Sequence, residues 1–316
     1  MAFDGTTIAA VRKELSDSIL GGRIYKIAQP EPDELLITIK TPEGQRKLYI
    51  SASASLPLIY LTDENKPSPM TAPGFCMLLR KYVGNGRITA ISQPGLERIL
   101  FFDIEHLNEL GDLCRKRLIV EIMGKHSNII FCDENNVILD SIKHISAQVS
   151  SVREVLPGRD YFIPHSGEKK NPLTITETEF KELLHSTPQN LSKALYMDLT
   201  GLSPVVAAEI CHLASLDGDI SAKEFSDAEL THLFHAFNWI MDDIREGNFT
   251  PNIIYEGEKP IEFAAVPLTM MEGGNYRTVK FDSISELLER YYAEKNTVSR
   301  IHQKSTDLRK IISNAL

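Results

Sequence analysis

Cysteine is scarce in this chain of 316 residues, and the four cysteines present are widely spaced. None of them belongs to a C-x-x-C pair, which excludes a zinc ribbon and also the dense disulfide framework of a small secreted domain. Isolated cysteines in a folded protein are usually buried thiols. We therefore predict free, buried thiols at Cys76, Cys114, Cys132 and Cys211.

Long apolar runs are also missing. Even residues 56–61 are interrupted by Pro57, and this run is far shorter than the ~20 residues that a transmembrane helix needs. The first residues lack the basic start and the apolar stretch of a secretory signal peptide. The sequence therefore predicts a cytoplasmic protein without membrane insertion.

Positive charge is in deficit, since the formal net charge is -9. A deficit of this kind opposes nucleic-acid binding by the chain as a whole. It is unevenly distributed, however. Residues 1–160 contain 19 basic and 20 acidic residues, a net charge of -1, whereas residues 161–316 contain 15 and 23, a net charge of -8. The first half therefore retains the capacity for a basic surface.

Catalytic motifs are absent as well. The sequence contains no P-loop, no G-x-G-x-x-G and no G-x-S-x-G. His232 and His235 lie three residues apart in a helical segment, and Cys211-His212 is the nearest candidate for a further ligand. Because a zinc site needs three or four ligands, two packed or half-exposed histidines are the simpler interpretation. We expect no metal and no cofactor.

Residues 1–160 have the periodicity of a β-rich domain with two helices. Apolar residues at helical spacing predict one helix over residues 6–20, ended by Gly21-Gly22, and a second over residues 73–84. Alternating apolar and polar residues between turns predict strands. These strands are expected at residues 23–28, 34–40, 46–51, 57–62, 87–93, 98–105, 117–123, 128–132 and 137–141.

Helical periodicity follows a stretch with prolines and glycines at residues 156–172, which we interpret as a linker. Thr176 and Glu179 have the spacing of a capping box that opens a helix. Helices are predicted at residues 176–185, 191–199, 204–214 and 226–246. The second and third have the outline of a helix-hairpin-helix motif, and a strand pair is expected near residues 253–255 and 261–264.

From residue 281 onward, apolar residues approximate a seven-residue repeat. The pattern meets the chain end without a cap or stop signal. We therefore expect the start of a coiled coil that continues beyond residue 316. A plain C-terminal amphipathic helix is the alternative, because few heptads are visible.

Three segments resemble the signature blocks of one protein family. They are P-G-F-C-M-L-L-R-K-Y at residues 73–82, E-I-M-G-K-H-S-N-I-I at 121–130 with I-L-D-S-I-K at 138–143, and R-E-V-L-P-G-R-D-Y at 153–161. In order and spacing they are similar to the N-terminal part of the RqcH/NEMF (NFACT) family. F-D-G at residues 3–5 and F-D-S-I-S-E-L-L at 281–288 strengthen the resemblance. The chain is also similar to the streptococcal fibronectin-binding (FbpA/PavA-like) members.

The resemblance implies an α+β fold. A β-rich sandwich domain like that of formamidopyrimidine-type DNA glycosylases should occupy residues 1–171, a helix-hairpin-helix domain residues 172–280, and the start of a coiled coil residues 281–316. Glycosylase activity is not expected, because Ala2 and Phe3 replace the nucleophilic proline and its neighbouring glutamate. The zinc-finger cysteines of those enzymes are missing too.

The resemblance also implies a function in ribosome-associated quality control, as an RNA-binding component and not an enzyme. Members of the family bind a large ribosomal subunit that is stalled with peptidyl-tRNA. They recruit tRNA for template-free C-terminal tailing, which adds alanine in bacteria. One alternative is a fibronectin-binding adhesin at the cell surface, which rests on the family name alone. Another is a scaffold that binds its partners through the coiled coil.

Glu97-Arg98 stands where the family usually has an Asp-Arg pair that tRNA engagement requires. The planar guanidinium of Arg98 suits a phosphate or an unpaired base, and Glu97 carries its carboxylate one methylene further out than Asp. Asp4 matches a family acidic residue that works with this pair, either by orienting an arginine or by accepting from a base or ribose hydroxyl. The alternatives are an ordinary surface ion pair and a helix N-terminal carboxylate.

A turn between two predicted strands contains four further candidate RNA contacts: Lys125, His126, Ser127 and Asn128. The two basic side chains suit phosphate, and the two polar ones suit backbone or ribose groups. The alternative is a structural turn that Ser and Asn side chains stabilise. Arg80 and Lys81, in the helix at 73–84, are weaker candidates, because a basic pair is more often a solvated helix face.

Overall fold

The computed structural model describes residues 3–164 and 168–315, and its mixture of helices and antiparallel sheets confirms the α+β class. Helix α1 (Gly5–Ile19) begins after Asp4, whose carboxylate accepts hydrogen bonds from the backbone N–H groups of Thr6 and Thr7. Helix α2 (Gly74–Val83) packs its apolar face on the sheet of the first half. Both helices confirm the predicted ones.

The strands of the first half are β1 (Arg23–Ala28), β2 (Glu34–Thr41), β3 (Gly44–Ser51), β4 (Leu58–Thr62), β5 (Arg87–Ser92), β6 (Ile99–Leu107), β7 (Leu113–Glu121), β8 (Asn128–Asp133) and β9 (Ile138–Ser141). They form one antiparallel sheet in the order β4-β3-β2-β1-β5-β6-β7-β8-β9. The two parts of the sheet meet through a single pair, Arg23 with Arg87. Both parts contribute to one hydrophobic core with α1 and α2, so the sheet bends around these helices. The bend brings β5 and β6 against α1.

The helices of the second half are α3 (Glu177–Ser186), α4 (Leu191–Asp198), α5 (Pro204–Leu213) and α6 (Asp227–Glu246). The capping box predicted at Thr176 and Glu179 is confirmed, and Ser226 with Glu229 forms another at the start of α6. The apolar faces of these helices form a second core. The assignment of α4 and α5 to a helix-hairpin-helix motif stays a prediction.

A small antiparallel sheet follows, composed of β10 (Asn252–Glu256), β11 (Lys259–Ala264) and β12 (Tyr276–Lys280) in the order β11-β10-β12. The predicted strand pair corresponds to β10 and β11. The third strand, β12, was missed because four of its five side chains are exposed and the apolar alternation of a half-buried strand is lacking.

The last helix, α7 (Ile284–Ala315), starts inside the core of the first half. The Ser285 backbone N–H donates to Glu14 of α1 at 3.2 Å, and the Ser285 hydroxyl donates to the same carboxylate. Beyond this base, the apolar positions of the predicted repeat that the structure describes are exposed: Ile301, Leu308 and Ile312. The side chain of Val298 lies outside the described residues. The coiled coil stays a prediction, as do the domain boundaries after residues 171 and 280.

The stretch that was interpreted as a linker is fixed at several points. Backbone pairing joins Val155 to Ile145 and Asp160 to Val137 before the gap in the described residues. After the gap, Lys170 pairs with Leu199 at the end of α4. Residues 165–167, and with them Gly167 of the predicted linker, lie outside the described residues.

A buried ion pair holds this stretch against the sheet. Glu121, the last residue of β7, is fully buried and accepts hydrogen bonds from Arg153 and from the Tyr161 hydroxyl, the latter at 2.9 Å. Burial raises the pKa of Glu121, and the charge and hydrogen bonds of its two partners oppose that rise. The segments 121–130 and 153–161 are therefore coupled to each other inside the protein.

Across residues 3–164 and 168–315, no helix is long and apolar enough to cross a membrane. The four cysteines are free thiols, as predicted. Three of them are buried, whereas Cys114, at the start of β7, is half-buried. The prediction of burial is therefore wrong for Cys114, which lies near an exposed hairpin turn.

Replacing Arg153 with methionine would leave Glu121 as a buried carboxylate without its cation. We expect the free energy of unfolding at about pH 8 to fall by roughly 3–5 kcal/mol in Arg153→Met, measured by denaturant titration. Without Arg153 the pKa of Glu121 rises further. A carboxyl whose pKa is raised on folding stabilises the fold at low pH and loses that contribution as the pH rises through the folded value. The deficit of the variant should therefore shrink toward about pH 5.

Arg159→Met is the matched control, because Arg159 belongs to the same stretch but is 61% exposed in its pair with Glu154. An exposed pair contributes at most about 1 kcal/mol, so this variant should be nearly as stable as the wild type at both pH values. Equal losses in the two variants, or a deficit of Arg153→Met that grows at low pH, would contradict the role assigned to the buried pair.

Candidate nucleic-acid interface

Three chain segments cross at one point, where the sheet of the first half meets the helices of the second. The backbone N–H of Gly5, the first residue of α1, donates to the carbonyl of Gly201, in the turn before α5, at 2.8 Å. The side chain of Gln93, just after β5, donates to the carbonyls of both Gly5 and Glu97 at 2.9 Å. The start of α1, the turn before β6 and the turn before α5 are thereby held together.

This crossing requires glycine at two positions. A Cβ atom on Gly201 would lie 2.0 Å from the carbonyl oxygen of Leu96, and one on Gly5 would lie 1.9 Å from the same oxygen. Gly201 also has a φ of +81°, in the left-handed region that residues with a Cβ disfavour. The backbones can approach this closely only because both positions lack a side chain.

Asp4 lies at the centre of the crossing and is only 5% exposed. Its Oδ1 atom accepts hydrogen bonds from the backbone of Thr6 and Thr7, both at 3.0 Å, and from the Thr6 hydroxyl at 2.7 Å. Burial raises the pKa of Asp4, and these bonds together with the nearby Ser203 hydroxyl oppose the rise. The capping hydrogen bonds are made by Oδ1. The other carboxylate oxygen, Oδ2, interacts with the surrounding charges.

Arg98 is close enough for its charge to interact with the carboxylate of Asp4. It is half-buried, immediately before β6, and its backbone carbonyl accepts from the N–H of Ile122 at 2.9 Å. Burial lowers the pKa of Arg98, and the carboxylates of Asp4 and Glu97 oppose that change. The structure therefore brings together Asp4, Glu97 and Arg98, the three residues that the resemblance paired.

Three further charged residues surround this trio: Lys169, Asp198 and Glu262. Burial and the Arg98 charge lower the pKa of Lys169, while Glu97 and Asp198 raise it. Burial raises the pKa of Glu262, in β11, and the Asp4 carboxylate is among the charges that add to the rise. None of these residues was predicted. The only signal in the sequence was the charged run at residues 168–170, inside the stretch that was interpreted as a linker.

The predicted contacts at residues 125–128 separate into two kinds. Lys125 and His126 are exposed on a short 3-10 turn, at the same end of the sheet as Arg98. Ser127 is 1% exposed and its hydroxyl accepts from the Met123 N–H at 2.8 Å. Asn128 is 2% exposed and bonds the backbone of residue 143 through both its amide atoms. Burial and these bonds give the two polar side chains a structural role in their own turn, and their assignment to RNA contact stays a prediction.

Arg80 and Lys81 lie elsewhere. The Arg80 Nε donates to the carbonyl of Ile27 at 2.8 Å, so this side chain caps the end of β1. Lys81 lies 3.9 Å from Glu109, in the turn that joins β6 to β7. That turn and Arg98 are at opposite ends of β6, whose nine residues span about 30 Å. The structure therefore places Arg80 and Lys81 away from Arg98, and their contact with RNA stays a separate prediction.

No group of three or more His, Cys, Asp or Glu side chains in the described part of the chain could hold a metal ion. His232 and His235 are exposed on α6, and Cys211 is buried in the second core. The chemistry available at the crossing is consequently that of charge and hydrogen bonding: a guanidinium and an ammonium set among carboxylates.

The family model described as NFACT N-terminal and middle domains matches residues 4–316. Among curated relatives, the Rqc2 homolog RqcH of Bacillus subtilis is 36% identical over 315 residues, which are 99% of this chain and 53% of that protein. The human ribosome quality control complex subunit NEMF is 21% identical over 333 residues, which cover 98% of this chain and 30% of that protein. This chain spans about half the length of the bacterial relatives that it matches.

Among solved structures, the N-terminal part of the fibronectin/fibrinogen-binding protein from Streptococcus suis has a TM-score of 0.76 and 31% identity. The match covers 92% of this chain and 99% of that one. The relationship to streptococcal fibronectin-binding proteins that the signature segments indicated is thus confirmed. The expected likeness to DNA glycosylases stays a prediction.

A methyl group at Gly201 should force the three segments apart. We expect Gly201→Ala to lower the free energy of unfolding by roughly 2–5 kcal/mol, of which about 1–2 kcal/mol comes from the left-handed φ and about 1–3 kcal/mol from the contact with Leu96. Thermal or denaturant unfolding measures the loss.

Gly111→Ala separates the two contributions. Gly111 has a φ of +85°, close to that of Gly201, but an added Cβ would meet no atom within 4 Å. This control should lose only the backbone part, about 1–2 kcal/mol. If both variants lose the same amount, the close approach to Leu96 contributes nothing.

Proposed function

The chain belongs to the NFACT family, and from that membership we propose that it is an RNA-binding component of ribosome-associated quality control. In this proposal it binds tRNA and the large ribosomal subunit stalled with peptidyl-tRNA, and it supports C-terminal tailing of nascent chains, with alanine in bacteria. The human relative is named as a ribosome quality control complex subunit, which supports the assignment.

The observation that carries the proposal is the convergence of Asp4, Glu97 and Arg98 at the crossing. The guanidinium of Arg98 is half-buried, and the carboxylates of Asp4 and Glu97 offset part of the cost of burying its charge. Its planar shape suits bidentate contact with phosphate or stacking on an unpaired base. Of the two roles predicted for Asp4, burial favours the orientation of Arg98 over direct contact with a base or ribose.

The surroundings of Arg98 support RNA recognition with limited non-specific attraction. Lys169, Lys125 and His126 are exposed near the same end of the sheet. The carboxylates among them, and the net charge of -8 over residues 161–316, reduce the attraction for phosphate in general. Such a site depends on geometry more than on total charge, which suits selection of one folded RNA over others.

The proposal describes a binding module in the cytoplasm and not an enzyme. Ala2, one of the two residues that distinguish the chain from glycosylases, lies outside the described residues. Phe3, the other, is buried in the first core at 2% exposure. A buried phenyl ring at this position is available neither as a nucleophile nor as a proton donor.

A second candidate function is fibronectin binding at the cell surface. One observation favours it, the structural likeness to the fibronectin/fibrinogen-binding protein from Streptococcus suis. The two functions make different predictions, since an adhesin does not require Arg98. Binding of immobilised fibronectin by the wild type and by Arg98→Ala, beside the RNA measurements below, distinguishes them.

Arg98→Ala should weaken the binding of total tRNA roughly 5- to 100-fold, the range for loss of one charge-assisted contact of about 1–3 kcal/mol. If Arg98 contacts a phosphate, the slope of log Kd against log salt should fall by about 1. Fluorescence anisotropy with labelled tRNA at two or more salt concentrations measures both quantities. Arg98→Lys, which keeps the charge but not the planar fork, should be intermediate.

Arg115→Ala is the control for loss of one positive charge. Arg115 is 69% exposed in β7, beside Glu105 and toward the far end of the sheet from Arg98. Its loss should change tRNA affinity by less than about twofold. Failure of the wild type to bind tRNA at low salt, or equal effects of the two substitutions, would remove the tRNA site from this part of the protein. Unfolding curves of both variants check that each is folded.

Substitutions at Glu97 test whether its longer side chain and its charge affect RNA binding, since the family usually has Asp at this position. Glu97→Asp shortens the carboxylate and should bind tRNA within about threefold of the wild type, because the charge beside Arg98 is kept. Glu97→Gln removes that charge and should bind non-cognate RNA more tightly at low salt, since one repulsion of phosphate is lost. Competition between total tRNA and an unrelated RNA duplex measures the selectivity. Equal selectivity in all three proteins would contradict a role for the Glu97 charge.

A further inference from the structure

A cleft of about 290 Å³ lies behind the turn that carries Glu97 and Arg98. It is bounded by α1, by the end of β5 with the turn after it, by the segment before α3 and by the end of α6. Its lining is mixed. The apolar side chains are Ala9, Ile91, Leu96, Leu173 and Ile244, and the polar ones are Arg12, Ser92, Gln93 and Arg245.

The two arginines differ in what they already bind. Arg245 donates through Nε and one terminal nitrogen to the carbonyl of Leu173, at 3.1 and 2.7 Å, and through the other nitrogen to Asp242 at 2.6 Å. Arg12 is half-buried and has no hydrogen bond or ion pair to any residue within 3–164 and 168–315. The N–H donors along the edge of the Arg12 guanidinium are thus available to a ligand, whereas those of Arg245 are already bonded.

The size and walls of the cleft decide the class of ligand. Ligand sites commonly measure ~300–1,000 Å³, so this one fits a single planar ring system and excludes a dinucleotide cofactor. A phosphate would lie against apolar side chains and near the C-terminal end of α6, the negative end of the helix dipole. A flat ring whose faces contact apolar side chains and whose edge carries hydrogen-bond acceptors suits the mixed lining better.

We propose that this cleft binds one unpaired guanine base of the RNA, with the O6 and N7 acceptors of the base facing the Arg12 guanidinium. A guanidinium has only donors, and guanine presents two acceptors on one edge. Adenine presents one acceptor beside an amino donor there, which opposes Arg12. The Oε1 atom of Gln93, which accepts no hydrogen bond from the described residues, and the Ser92 hydroxyl offer acceptors for the remaining N–H groups.

The inference rests on the proposed RNA-binding function and extends it from a charge contact to a base preference. Gln93 links the two sites physically, because its Nε2 holds the carbonyl of Glu97 while its side chain lines the cleft. The cleft therefore adjoins the turn that carries Arg98, since Gln93 and Leu96 of that turn line it. A strand of RNA whose backbone passes Arg98 can turn a neighbouring base into the cleft.

The test uses stem–loop RNAs that differ in one loop base, which is guanine, adenine or 7-deazaguanine, placed at each loop position in turn. We expect the wild type to prefer guanine over adenine about 5- to 100-fold at one position, the range for a bidentate base contact. 7-Deazaguanine lacks the N7 acceptor and should lose most of that preference. Arg12→Met, which keeps a long side chain but offers no hydrogen-bond donor, should bind the adenine RNA as the wild type does and show no preference among the three, a double-mutant cycle between Arg12 and N7.

Lys13→Met is the matched control, because Lys13 is the next residue of α1, carries the same charge and does not line the cleft. It should keep the guanine preference. If Arg12→Met and Lys13→Met weaken all three RNAs alike, Arg12 contributes only charge and the inference is wrong. Because Arg12 has no hydrogen bond or ion pair in the described fold, Arg12→Met should unfold at close to the wild-type temperature.

Two further outcomes separate this inference from the proposed function. If the wild type binds stem–loops and tRNA, and Arg98→Ala weakens them, but no base preference depends on Arg12, only the guanine cleft is overturned. If the wild type binds no RNA, both fail. GMP and AMP as competitors identify the source of the base: Arg12-dependent binding of GMP without any preference among stem–loops would assign the cleft to a free nucleotide and overturn its assignment to RNA.

Discussion

The close backbone approach of Gly5, Leu96 and Gly201 is the contact on which the candidate interface depends. Asp4 would otherwise be an ordinary helix cap, because its Oδ1 atom is engaged by Thr6 and Thr7 alone. The crossing buries this carboxylate next to the turn that carries Arg98 and next to Ser203 at the start of α5. The absence of side chains at Gly5 and Gly201 thus determines the electrostatic environment of Asp4.

Much of the local structure could be predicted, because helix and strand periodicity report which side of an element is buried, and burial on one side is a local property. The composition of the site could not, because Lys169, Asp198 and Glu262 reach it from segments far away in the chain. The same limit explains Arg80 and Lys81. Periodicity correctly placed them on a helix, but it does not say which other surface that helix faces.

The signature segments that reveal the family are mostly interior. Glu121 binds Arg153 and Tyr161 beneath the surface, and the side chains of Ser127 and Asn128 bond the backbone around their own turn. Resemblance through these residues therefore indicates a shared fold more strongly than a shared ligand. Fewer charged side chains of these regions stay accessible to a ligand. Among them, Arg98, Lys125 and His126 lie at one end of the sheet.

Helix α1 connects the two ends of this structure. Its first turn holds Asp4 at the interface, and Glu14, near its other end, holds the base of α7 through Ser285. The 32 residues of α7 extend for roughly 48 Å at about 1.5 Å per residue. A long arm fixed at one end amplifies small rotations: a tilt of roughly 5° at the base moves the tip by about 4 Å. A ligand that shifts α1 would therefore produce a larger displacement at the far end of α7.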